Sequence, residues 1–103
     1  MSLVEEIFHV TSKMPEPEND FLSQEMRERS MIVVSNIKEA YLHLGSDKAL
    51  ACFDNAIGSA AALECQLLLT ETLDLVPSAH LIEPKQLIEK VQRLLSGLYE
   101  AFA

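Results

Sequence analysis

Apolar residues recur along most of this chain at intervals of three and four, the repeat of a helix with one buried side. Leu3, Val4, Ile7, Phe8, Thr11 and Met14 form the first such stripe, and Ser2 followed by Glu5 has the spacing of a capping box. A first helix is therefore predicted over about residues 2–13. Pro15 and Pro17 break it, and the polar stretch after them leads into a second helix over about residues 21–43. Leu22, Met26, Ser30, Val33, Ile37 and Ala40 trace one seam along that helix. Leu44-Gly45-Ser46 ends it. Gly45 can take the left-handed conformation and Ser46 can cap the next helix, a connection short enough to make the second and third helices antiparallel neighbours.

The third helix, about residues 47–75, is apolar on two sides. Cys52, Ala56, Ala60, Leu63 and Leu67 line one face at 100° steps; Leu50, Ile57, Ala61 and Leu68, flanked by Gly58, Cys65 and Leu69, line another. After Val76-Pro77-Ser78 the chain breaks again, and Glu83-Pro84 marks the start of a fourth helix over about residues 84–102. Its stripe runs through Leu87, Ile88, Val91, Leu94, Leu95, Leu98, Tyr99 and Phe102. The expected architecture is one domain over residues 1–103, an all-α, antiparallel up-and-down four-helix bundle.

The first helix is much the shortest, so it leaves apolar surface on its longer neighbours uncovered. The second face of the third helix could pack internally or against another chain. Its small residues favour close approach by a neighbour, and Met31 and Ile32 on the outer side of the second helix point the same way. The expected oligomer interface is Met31, Ile32, Leu50, Ile57, Gly58, Ala61, Cys65 and Leu68.

Composition supports this reading and narrows the function. Hydrophobic residues make up 49% of the 103, whereas glycine (3), proline (4) and aromatics (6%) are sparse, a balance that favours helices. Sixteen acidic against eight basic side chains give a net charge of −8, which repels phosphate backbones and suits a basic protein partner better than nucleic acid. Asp54 and Glu64 interrupt the most hydrophobic region and the N-terminus has no basic segment, so neither a membrane span nor a secretory leader is expected, and the location expected is the cytoplasm. Cys52 and Cys65, 13 residues apart on one helix, lie too far apart to bridge and read as reduced core thiols.

Several segments resemble a known family. Arg27, Val34-Ser35-Asn36-Ile37, Gly58-Ser59, Glu64 with Gln66-Leu67-Leu68-Leu69, and Leu95-Ser96-Gly97-Leu98 are similar to the motifs of four-helix bundle proteins encoded in intervening sequences of bacterial 23S rRNA genes. That family also includes accessory proteins of diversity-generating retroelements. The similarity spans roughly residues 21–102, with Glu28 standing where a second arginine is usual and Ala40 where a glycine is. It implies a homopentamer of up-and-down bundles and, in basic members, binding of nucleic acid or a reverse transcriptase.

Candidate chemistry is thin. Arg27, Ser35, Asn36, Glu64 and Gln66 form a possible polar cluster, in which Asn36 would bond across to Glu64 or Gln66 and fix the register of two helices, or which would serve a partner. Glu6-x-x-His9 has the spacing of a di-iron ligand pair, but it occurs once where such bundles need two copies, so His9 reads as a solvated residue. His43 suits a helix C-terminus and His80 a loop. Lys85, Lys90, Arg93, Arg27 and Arg29 are interleaved with Glu25, Glu28 and Glu89, the arrangement of ordinary solvated faces. No nucleophile, phosphate loop, metal set or cofactor site emerges. The expectation is a non-catalytic, homo-oligomeric scaffold or interaction protein, with a nucleic-acid- or reverse-transcriptase-associated accessory protein as the alternative.

Overall fold

A computed structural model of the chain describes residues 2–103, with side chains for all of these but residues 18–20. Four α-helices pack against one another: α1 (Leu3–Thr11), α2 (Glu18–Leu42), α3 (Asp47–Thr72) and α4 (Ile82–Phe102), with a 3₁₀ turn at Ser78–Leu81. No strand occurs among the described residues. The extents, 44 × 22 × 21 Å, are those of helices about 10 Å thick arranged two by two in cross-section.

Local signals set most helix ends. Ser2 Oγ accepts from the Glu5 amide at 3.3 Å, and Glu5 Oε1 accepts from the Ser2 amide at 3.4 Å, closing the capping box. The Ser2 hydroxyl also donates to the same Glu5 oxygen at 2.9 Å, and this bond more than any other holds the Glu5 carboxyl below the usual carboxylate range. Between α2 and α3, Gly45 takes φ +88° and Ser46 Oγ accepts from the Ala49 amide at 3.3 Å.

The largest departures from the sequence pattern are at two ends. α2 begins three residues earlier than expected, at Glu18, and α3 stops three residues earlier, at Thr72. The stop at α3 is a Schellman motif: the Leu75 amide donates to the Thr70 carbonyl and the Asp74 amide to the Glu71 carbonyl, both at 3.0 Å, with Asp74 left-handed at φ 56°.

The most extensive packing joins α2 to α3, then α3 to α4, with α1 seated against α2 and α4. The seam expected on α2 is the one that turns inward: Met26, Ser30, Val33 and Ala40 are buried, with Leu22 and Ile37 partly so. Cross-helix ties include Gln66 to Glu25, Thr70 to Met26 and Lys48 to Glu39 between α3 and α2. Lys85 to Glu71 and Gln92 to Glu64 join α4 to α3.

α1 is anchored at one end of this assembly. Thr11, fully buried, donates to the Ile7 carbonyl at 2.7 Å and accepts from Arg27 Nε at 2.8 Å, while the Arg27 guanidinium lies 4.9 Å from the Phe8 ring centroid. Lys13 Nζ meets His80 Nδ1. From there α1 reaches roughly 14 Å along α2, which is about 38 Å long.

Candidate interaction surface

The two apolar faces of α3 have different fates. Cys52, Ala56, Ala60, Leu63 and Leu67 are all buried, against α2 on one side and α4 on the other. On the outer face Leu50 and Ile57 are half-buried, whereas Gly58, Ala61, Cys65 and Leu68 are exposed, Leu68 by 57%. Cys65 is thus not the core thiol its apolar surroundings in sequence suggest; Cys52 is. Leu68 and Cys65 border a cleft of about 290 Å³ whose other walls include Ile88, Lys85 and Glu89 of α4.

Met31 and Ile32 are both exposed on α2, but as consecutive residues they point about 100° apart. An added Cβ at Gly58 would meet nothing within 4 Å, so nothing in this chain uses the space that glycine leaves.

The residues of the expected polar cluster make their hydrogen bonds elsewhere than to one another. Asn36 Nδ2 donates to the Ile32 carbonyl at 2.9 Å, one turn back on its own helix, and Ser35 Oγ does the same at 3.2 Å. Arg27 turns toward α1, Glu64 accepts from Gln92 of α4 at 3.5 Å, and Gln66 Nε2 donates to Glu25 at 3.4 Å. Gln66 Oε1 is buried with no partner among the described residues, and turning the amide over would set this oxygen against the Glu25 carboxylate.

The titratable residues fall into structural ties. Glu39 accepts from Lys48 at 3.3 Å, which holds its carboxyl below the usual range, and from His43 at 3.3 Å. His9 is exposed, and among the described residues no group of three His, Cys, Asp or Glu side chains could hold a metal ion. Lys85 pairs with Glu71 across helices rather than along its own, and Arg27 is half-buried rather than solvated. None of the described helices is long and apolar enough to cross a membrane.

Comparison with known proteins adds a family. The sequence model of the 23S rRNA-intervening sequence protein matches residues 1–97, nearly the whole chain. The chain belongs to the 23S rRNA-intervening sequence protein family. The match takes in the first helix, which the motif resemblance does not reach. No curated protein matches the chain.

In this family member the structure also exposes residues that periodicity assigns to the core. Leu94, in the apolar stripe of α4, is 56% exposed, and Phe102 is 40% exposed. Tyr41 of α2, 51% exposed, stands edge-on to buried Phe53 with ring centroids 6.3 Å apart, and Phe102 stacks on Phe53 at 6.4 Å.

Proposed function

We propose that this protein is a non-catalytic, homo-oligomeric scaffold of the cytoplasm, in which the outer face of α3 joins subunits. The observation that carries the reading is the two-sided α3: its inner face completes the chain's own core, while Leu68, Ala61 and Cys65 stand exposed beside half-buried Leu50 and Ile57. An apolar strip of this kind on a small protein is removed from water most effectively by a second copy. Gly58 supports it, since glycine within a helix costs about 1 kcal/mol relative to alanine and no contact within this chain requires it.

Within each subunit the helices run up and down. Rising positions on α2 (Glu25, Glu39) meet falling positions on α3 (Gln66, Lys48), and Glu64 and Glu71 of α3 meet Gln92 and Lys85 of α4 in the same opposed order. Five copies around an axis is the state implied by the family resemblance. The net charge of −8 favours a basic protein over nucleic acid as an external partner.

Replacing Ala61 with glutamate tests the interface. On this account Ala61→Glu elutes as a monomer, or precipitates, while wild type elutes as an oligomer; a variant eluting as wild type does refutes the assignment of this face. Direct binding of RNA or DNA at physiological salt would replace the scaffold reading with a nucleic-acid one.

A further inference from the structure

Glu6 stands apart from the carboxylates held in ion pairs. It lies on the side of α1 that meets α4 and the 3₁₀ turn, and only 5% of its surface is exposed. Among the described residues no side chain bonds to its carboxylate and no cation pairs with it. The two lysines that share its surroundings do not answer it: Lys13 is taken by His80, and Lys90 is exposed and forms no ion pair. Taking a charge out of water is costly, so a carboxylate buried this far is ordinarily paired.

The same side chain forms a shared wall of two adjoining clefts. One, of about 280 Å³, lies between α1 and the 3₁₀ turn and is bounded also by His9, His80, Ile82 and Glu83. The other, of about 260 Å³, runs along α4 past Glu83, Gln86, Leu87 and Lys90. Glu6 and Glu83 are common to both. Volumes at the lower end of ligand sites suit a compact group rather than a nucleotide. The acceptors available are the two carboxylates, the Gln86 amide oxygen and the His9 ring, with Ile82 and Leu87 as apolar surface beside them.

Such a lining calls for a cation. Nowhere among the described residues are the His, Cys, Asp and Glu side chains grouped to hold a metal ion, so the complement is an organic one. Guanidinium fits best. It is flat, weakly hydrated and rich in N–H donors, so it leaves water for a buried carboxylate more readily than an ammonium does, and its alkyl stem has Ile82 or Leu87 to lie against.

We propose that the cleft between α1 and α4 binds an alkylguanidinium group, with Glu6 as the buried anchor and Glu83 as the outer one. The group belongs either to a free arginine derivative or to an arginine side chain of a protein partner, and its chemistry at Glu6 is the same in both. The residues involved lie on α1, the 3₁₀ turn and α4, none of them on the outer face of α3, so the site stands whether or not the chain assembles.

Calorimetric titration at constant ionic strength tests this with three probes: N-butylguanidinium, its uncharged counterpart N-butylurea, and a blocked glycine–arginine–glycine peptide. One N-butylguanidinium per chain is expected to bind, saturating in the millimolar range or below, with no saturable binding of N-butylurea. Glu6→Gln should weaken the guanidinium about tenfold or more, yet melt no lower than wild type, because in the free chain the carboxylate has no partner to lose. Glu83→Gln, at an exposed position, should weaken it less. Binding of either guanidinium probe supports the site, and the tighter of the two identifies the source. Absence of saturable binding by both overturns it, as does undiminished binding to Glu6→Gln or equal binding of N-butylurea. A Glu6→Gln melt well below wild type also overturns it, since Glu6 would then already be partnered in the free chain.

Discussion

Leu67 and Leu68 are neighbours in the chain and opposites in the fold: the first is fully buried between α2 and α4, the second is 57% exposed on the outer face of α3. Both faces are built from leucine, alanine and cysteine, so composition does not separate them. What separates them is the supply of covering helices. α2 and α4 occupy the two flanks of the inner face, and no further helix among the described residues lies over the outer one. An apolar residue stabilises a single chain only where that chain can remove it from water, at roughly 25 cal/mol per Å².

The largest expected effect follows directly. Leu67→Ala should destabilise the chain by about 2–5 kcal/mol in chemical denaturation, through lost burial and the cavity left behind. Leu68→Ala, measured in dilute protein, should change stability by no more than about 0.5 kcal/mol, as surface substitutions do. Equal losses at the two positions would erase the distinction between the faces. Gly58→Ala sharpens it further. The added methyl meets nothing within this chain and improves helix propensity, so the monomer should gain up to about 1 kcal/mol, while the assembly, if it needs close approach at α3, should weaken in sedimentation equilibrium.

The smallest effect concerns the turn where the inner face begins. Lys48 donates to Glu39 across the α2–α3 connection and holds its carboxyl below the usual carboxylate range. A carboxyl depressed by folding contributes stability that is present above its unfolded pKa and is lost as pH falls through its folded pKa. Glu39→Gln should therefore lower stability slightly at neutral pH and leave it nearly unchanged in acid below the folded pKa, so that the acid limb of the curve flattens, as urea titrations at stepped pH would register. Both side chains of the pair reach solvent, which keeps the effect small.

How much of this was legible in the sequence depended on whether the deciding interaction is local. The Ser2–Glu5 box and the Gly45–Ser46 turn are settled within a few residues, and the pattern located both. The end of α3 was not legible, because Asp74 takes the left-handed conformation that a glycine would have advertised. Asn36 has a carbonyl within reach one turn back, and that local partner won over the cross-helix ones its position suggested. Leu94 and Phe102 share the periodicity of buried residues, but periodicity names a face without saying whether a helix covers it. There the short α1 decides the outcome.

Cys65 offers the most direct measurement. It lies exposed on the outer face of α3, whereas Cys52 is buried on the inner one, so one thiol reports each face. The rate at which a thiol reagent labels Cys65 should be high in dilute protein and fall as concentration rises and subunits cover the face, with Cys52 slow throughout. Labelling of Cys65 that is equally fast at every concentration, in protein that remains folded, would contradict the claim that a second chain covers this side of α3.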